Sequence, residues 1–199
     1  FHVERVVEGL IARGAAGCFL EDQRWPKRCG HMEQKQVVDV DEYVPKLRAA
    51  LAARKGTKFF VTARTDARAV NGLSDAIERG KRYADVGADA VFVEAPQSVD
   101  EMRTIRANIP SPTRLVANMV ESGKTPLRSV GELAADGFGF VIFPISGLLA
   151  ATKAMERAFA ELYAKGTTAG VTDAMARFDE INAVTGLPER YAREKAWLT

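Results

Sequence analysis

Five short runs of apolar, β-branched or aromatic residues punctuate the chain: AGCFL (16–20), KFFVTA (58–63), AVFVE (90–94), TRLVA (113–117) and FVIF (140–143). Their apolar positions are continuous rather than alternating, the pattern of parallel strands covered on both faces. Between them the apolar positions recur at helical spacing, in EYVPKLRAALAARK (42–55), LSDAIERGKRYADV (73–86) and SVDEMRTIRANI (98–109). Strand starts fall about 20 to 45 residues apart, the rhythm of repeated βα units. Glycine signals precede three strands, in GAAG before the first, GAD before the third and DGFG before the fifth. Ser98 and Glu101 have the spacing of a capping box.

The opening stretch FHVERVVEGLIARG reads as an amphipathic helix, with Val3, Val6, Val7, Leu10 and Ile11 on one face and no N-cap before it. The chain is therefore expected to start inside an element. After the last strand the rhythm changes. LLAATKAMERAFAELYAKG (148–166) predicts a long helix, and TTAGVTDAMARFDEINAVTG and LPERYAREKAWLT follow with no strand between them. Phe178, Leu187, Tyr191 and Trp197 give these segments more apolar surface than one outer helix layer needs, so they are expected to pack on another subunit. The organisation predicted is a βα portion at 1–165 and a helical extension at 166–199.

Composition narrows the class. The 199 residues are 47% hydrophobic and 27% charged, with a net charge of +2, which is a globular balance without a nucleic-acid footprint. No apolar run approaches the roughly 18 residues of a membrane span. The two cysteines, Cys18 and Cys29, are too few for a disulfide framework, and a reducing, cytoplasmic compartment is expected. Repeated βα units give either an open doubly wound sheet or a closed barrel, and no glycine-rich phosphate turn follows any strand.

In both architectures the chemistry gathers past the C-terminal ends of the strands. Those positions read Glu21 and Asp22, then Arg64, Thr65 and Asp66, then Glu94, then Asn118 with Glu121, then Pro144 and Ser146. Several polar groups on one rim predict a pocket for something small and anionic. The first strand leads into EDQRWPKRCGH (21–31), where Lys27 and Arg28 precede Cys29, and Gly30 and His31 follow it. Neighbouring cations favour a thiolate, so Cys29 is either reactive or an ordinary exposed thiol; with two Cys and two His in the chain, a four-ligand zinc site is not expected. Arg64 suits bidentate binding of a carboxylate, or a rim ion pair with Asp66 or Glu94. Glu21 and Glu94 are placed to hold a hard cation or to act as acid and base, or to pair with Lys27, Arg28 or Arg64. His31 is an acid-base candidate or a loop-stabilising hydrogen-bond partner. Trp25, before Pro26, reads as a hinge or packing anchor.

EDQRWPKRCGH, ARTDAR (63–68), GADAVFVEAP (87–96) and ANMVESGKTPL (117–127), in this order and spacing, resemble the isocitrate lyase/phosphoenolpyruvate mutase superfamily. The KRCGH loop resembles its lyase branch, and the motifs together are most similar to the petal death protein and 2,3-dimethylmalate lyase group. The resemblance covers essentially the whole chain. It implies an α/β fold, a (βα)8 TIM-type barrel, in a homotetramer whose C-terminal helices swap between subunits. Set against such a barrel, the sequence supplies strands four to eight. The first three strands, with an aspartate pair that holds Mg²⁺ (Mn²⁺ as the alternative), would lie before residue 1, so the chain is expected to be part of a longer protein. A half barrel alone would leave strand edges exposed.

The resemblance also implies roles. Glu21 would hold waters on the metal; Lys27, Arg28, Gly30, His31 and Asn118 would contact substrate; Cys29, Arg64 and Glu94 would be catalytic. The implied reaction is Mg²⁺-dependent carbon–carbon cleavage of a 2-hydroxy dicarboxylate of the substituted malate type, with Cys29 giving a proton to the enediolate. Oxaloacetate hydrolysis and methylisocitrate or isocitrate cleavage are the alternatives, and an inactive or non-catalytic family member is the reading from a different class. Where methylisocitrate lyases carry an arginine after the last strand, FPISGLLAAT places Leu149. Losing that cation disfavours a tricarboxylate. The expected partner is a small dicarboxylate, with no nucleic acid and no membrane.

Overall fold

A computed structural model describes residues 1–198; Thr199, the last position of the expected helical extension, lies outside them. The chain forms two compact units, Phe1–Pro144 and Ile145–Thr199. The first opens with helix α1 (His2–Ala12) and alternates strands with helices: β1 (Gly17–Glu21), α2 (Val40–Ala53), β2 (Phe60–Thr65), α3 (Ala67–Val70), α4 (Leu73–Val86), β3 (Ala90–Val93), α5 (Val99–Asn108), β4 (Arg114–Asn118), α6 (Val130–Ala135) and β5 (Phe140–Ile142). The five strands lie side by side in chain order, every neighbouring pair parallel. This is the (βα) succession of a TIM-type barrel over five strands, a half-barrel.

The predicted strands and helices form where the apolar periodicity placed them. The glycine signals hold: Gly14, Gly87 and Gly137 all take positive φ at the chain reversals before strands. Gly87, at φ 105°, ends α4, and the N–H groups of Gly87 and Ala88 close the last turn on Ala84 O and Tyr83 O. Ser98 caps α5 by accepting from Glu101 N–H, but the Glu101 carboxylate turns to Gln97 N–H and Arg68 instead of completing the box. A complete capping box occurs at Ser129 and Glu132, which opens α6 and has no counterpart in the sequence reading.

Strand residues alternate between two unlike environments. Val61, Ala63, Val91, Val93, Leu115 and Ala117 face the helices and are buried in one cluster with Val7, Tyr43, Leu47, Tyr83, Met102 and Leu133. Each fully buried aliphatic side chain there contributes about 1.5–3 kcal/mol relative to exposure. The intervening residues line the concave face. Ala90, Phe92 and Val116 are buried there, whereas Phe19 and Phe140 remain 47% and 44% exposed. Continuous apolar strands thus do not mean two covered faces here. The outer face is saturated by helices, and the inner face is covered only toward the middle of the sheet.

The second unit contains α7 (Ser146–Lys165), a 3₁₀ turn (Ala169–Ala174), α8 (Phe178–Val184) and α9 (Leu187–Trp197). Helix α7 groups with the segments after it, where the sequence reading had it closing the βα portion. Gly166, in the left-handed conformation, ends it. Val171 is buried in this unit, while Phe159, Tyr163, Phe178 and Trp197 are exposed. Among the described residues, no helix is long and apolar enough to cross a membrane.

Candidate active site on the strand rim

Period-two alternation selects the site. Glu21 and Arg64 are direct register partners at the ends of β1 and β2. Glu94 and Asn118 occupy the corresponding inward positions at the ends of β3 and β4. Glu94 is buried, with its Oε2 3.3 Å from Arg64 Nη2 and its Oε1 3.3 Å from Asn118 Nδ2. Ala95, directly after it, adopts φ 55°, a left-handed conformation that costs a non-glycine residue about 1–2 kcal/mol and sets the direction in which the chain leaves the strand.

Arg64 makes the rim pairs that one of its two readings expected. Its Nε and Nη2 form a bidentate pair with Asp66 at 2.9 and 3.0 Å, and Nε stands 3.6 Å from Glu21. The guanidinium also lies 5.0 Å from the centroid of Phe92. Burial works against its charge, but the Asp66, Glu94 and Glu21 carboxylates outweigh burial and hold it above its ordinary pKa. Burial likewise opposes ionisation of Glu94. There, His31, the positive charge of Arg64 and the Asn118 amide prevail and hold the carboxyl below its ordinary value.

The loop between β1 and α2 folds over this rim. Its base is closed by backbone hydrogen bonds from Val38 N–H to Asp22 O and from Arg24 N–H to Gln36 O. Beneath the base, the fully buried Asp22 accepts from Asp66 N–H on Oδ1, and from Arg79 and Tyr83 on Oδ2. Burial raises the Asp22 carboxyl above its ordinary value, and these partners offset only part of that rise. Breaking such a buried pair from one side typically costs about 3–5 kcal/mol. The same Asp22 thereby fixes the end of β1, the Asp66 that grips Arg64, and helix α4.

Toward its tip the loop is held by side chains. Gln23 donates to Arg28 O and accepts from Arg28 N–H at 2.8 and 2.9 Å. Lys27 pairs with Glu21 at 2.9 Å, and the Arg28 guanidinium donates to Gln34 Oε1. Gly30 is buried against the rim: a Cβ there would stand 2.3 Å from Glu94 Cγ and 2.7 Å from Arg64 Nη2. Only glycine lets the backbone come this close. His31 Nδ1 accepts Lys124 N–H at 3.0 Å, so the ring proton sits on Nε2. Nε2 stands 3.1 Å from Glu94 Oε1 without the alignment of a good hydrogen bond. Cys29 is exposed beside Gly30.

Glu21, Lys27, Gly30, His31, Arg64, Glu94 and Asn118 therefore converge, while Arg28 and Cys29 lie on the exposed side of the loop. Trp25 is 83% exposed, which removes the packing-anchor reading within this chain. Sequence reasoning placed Asp22 at the strand end without a role, and missed Arg79 and Tyr83, whose partner lies far off along the chain, and Lys35, a buried lysine in a polar stretch. The apolar cavity of about 430 Å³ on the concave face, lined by Phe19, Phe60, Thr62, Arg114 and Phe140, lies at the opposite ends of the strands. It holds no acid or base other than the arginine and Cys18 among its lining.

Among the described residues, no group of three His, Cys, Asp or Glu side chains could hold a metal ion. Glu21 offers a carboxylate, but Lys27 and Arg64 already lie against it. These residues do not by themselves make a Mg²⁺ or Mn²⁺ centre.

Residues 1–163 match the family model described as phosphoenolpyruvate phosphomutase. The chain is 42% identical over 193 residues to the petal death protein of Dianthus caryophyllus, covering 97% of this chain and 60% of that protein. It is 43% identical over 186 residues to 2,3-dimethylmalate lyase of Eubacterium barkeri, covering 94% and 64%. The chain thus spans less than two thirds of the length of these relatives. Among solved structures, oxaloacetate acetylhydrolase in complex with 3,3-difluorooxalacetate superposes with a TM-score of 0.88 at 35% identity, over 98% of this chain and 65% of that one. Phosphonopyruvate hydrolase in complex with oxalate and Mg²⁺ gives 0.83 at 30% identity, over 99% and 68%.

Proposed function

Because the chain belongs to the phosphoenolpyruvate phosphomutase family, within the PEP mutase/isocitrate lyase superfamily, we propose that it carries the acid–base half of a carbon–carbon lyase acting on a 2-hydroxy dicarboxylate of the substituted malate type. The observation that carries the reading is the seat of Gly30 between Glu94 and Arg64, which lays the cysteine loop on the charged rim. In this reading Arg64, fixed by Asp66, presents positive charge to a substrate carboxylate. The ionised Glu94 carboxylate takes the 2-hydroxyl proton as the C2–C3 bond cleaves. C2 becomes the carbonyl of a 2-oxo acid, and the bonding pair passes to C3, giving the enediolate of the second carboxylate. Cys29 then donates its proton to C3, releasing the carboxylic acid.

Glu94, held ionised, is a weak base; its larger service is to fix Arg64, His31 and Asn118 around the reacting atoms. Lys27 and Arg28 would close the loop over the substrate and exclude water. Mg²⁺ belongs to this reading as a requirement on carboxylates additional to Glu21, and no step is assigned to it. Exposed Phe159, Tyr163 and Trp197 support packing of the C-terminal helices on neighbouring subunits of a homotetramer.

Oxaloacetate hydrolysis to oxalate and acetate is the second reading, favoured by the likeness to oxaloacetate acetylhydrolase. The test incubates the full-length protein with 2,3-dialkylmalates, methylisocitrate or oxaloacetate, and measures release of 2-oxo acid or oxalate. Dialkylmalates are expected to turn over fastest, and Cys29→Ala to lower that turnover by about 10²–10⁴-fold. A variant with wild-type turnover would remove Cys29 as donor. Faster cleavage of methylisocitrate would overturn the substrate class, and no turnover of any of these would favour a non-catalytic family member.

A further inference from the structure

One buried charge in the loop is not used by the proposed chemistry. Lys35 is 7% exposed, and its Nζ donates to Gly30 O at 2.6 Å and to Met32 O at 2.8 Å. Both acceptors are neutral carbonyls of its own loop, and they flank His31. A lysine in a polar stretch between β1 and α2 would be solvated at less cost in water, because removing an ammonium from water is expensive unless its donors are matched. Here the matching comes from two carbonyls converging on one atom. A single ammonium can satisfy both at once, and hydrogen bonds from a charged donor are roughly twice as strong as neutral ones.

The position of those carbonyls has consequences on the other side of the loop. A trans peptide holds its C=O and N–H antiparallel, so fixing Gly30 O on Lys35 fixes the direction of the His31 N–H. Fixing Met32 O does the same for the Glu33 N–H, two peptides further on. Met32 N–H also bonds Cys29 O at 2.9 Å, closing a turn around Gly30 and His31. On the outer side of that turn, Gly30 packs on Glu94 and Arg64, and the His31 ring reaches both Glu94 and Lys124 N–H. The loop is thus held between an internal anchor and the rim.

We propose that Lys35 is a positioning residue: from inside the loop it draws the Gly30 and Met32 carbonyls together and so sets Gly30 and His31, with the adjoining Cys29, against the rim at Glu94. This rests on the lyase reading for its consequence in turnover, and on the geometry alone for its effect on the loop. The test uses the full-length protein with Lys35→Met, which keeps the stem and removes the donors, and Lys35→Arg, which restores a cation with several donors. Amide exchange of the peptide spanning 22–38 and tryptic cutting after Lys27 and Arg28 read the loop; steady-state kinetics read the site.

In Lys35→Met, exchange and cutting in the loop are expected to rise about tenfold while exchange in the strands stays at wild-type rates. The kcat is expected to fall about 10²-fold with KM little changed, and Lys35→Arg to recover part of both effects. A folded Lys35→Met with unaltered loop exchange would overturn the proposal, as would a loosened loop with wild-type kcat. If Lys35→Met does not fold, Lys35→Gln, with amide donors on a shorter stem, is read in the same way. If the wild-type protein cleaves none of the substrates, the lyase reading fails separately, and loop exchange alone decides whether Lys35 pins the turn.

Discussion

The two faces of the same five strands have had opposite fates. Residues pointing outward meet α1, α2, α4, α5 and α6 and disappear into a continuous apolar core, with Val61, Ala63 and Val91 fully buried. Residues pointing inward grade along the strand, from half-exposed Phe19 and Phe140 through buried Phe92 to the charged rim of Glu21, Arg64 and Glu94. The outer face therefore carries the apolar core and the inner rim gathers the ionisable groups. Because a strand alternates strictly, a one-residue slip would exchange the two sets and bury the rim charges among the helices.

The largest effect that sharpens this contrast is a pair of truncations. Leu115→Ala on the outer face removes a side chain that is 1% exposed and is expected to cost about 2–5 kcal/mol in urea unfolding. Phe19→Ala on the inner face is expected to cost about 1 kcal/mol in the chain described here. An equal loss at both positions in the full-length protein would mean that its inner face is covered as well as its outer one.

The next effect is a pH dependence at the rim. Glu94 has a folded-state pKa below its ordinary value of 4.5, so folding favours its ionised form. That stability is complete above the unfolded pKa and is lost as pH falls through the lower folded value. Between about pH 5 and pH 3, the Tm of the wild-type protein is expected to fall more steeply than that of Glu94→Gln. Parallel curves would show that the Arg64 and His31 contacts do not hold the carboxylate ionised. The smallest effect is expected at Trp25. Trp25→Ala should change stability by no more than about 0.5 kcal/mol, and a larger shift in thermal unfolding would mean that its ring is covered in the full-length protein.

Legibility followed the range of the interactions. Strand and helix positions, the glycine reversals and the Ser98 cap depend on neighbours within a few residues, and the pattern exposed them. The rim was legible too, because Glu21, Arg64, Glu94 and Asn118 each sit at the end of an apolar run. Which rim partners surround Arg64 was not legible until the fold brought Asp66, Glu94 and Glu21 around it. Ser129 and Glu132 had a readable cap spacing that was passed over. Asp22 was legible at the strand end but its partners were not, since Arg79 and Tyr83 reach it from α4 across 57 and 61 positions of sequence.

By itself, then, the sequence determined the succession of βα units, the family motifs and the end of the strands at which the polar groups collect. Apolar periodicity and local backbone preferences are written in adjacent residues. The tertiary structure alone decided how the charges are shared: Asp22 beneath the loop, Asp66 on Arg64, His31 between Glu94 and Lys124, and Lys35 turned inward onto two carbonyls. Charge pairing is set by distance and burial rather than by order along the chain. For that reason Lys35 is an ordinary polar residue in the sequence and an anchor in the fold.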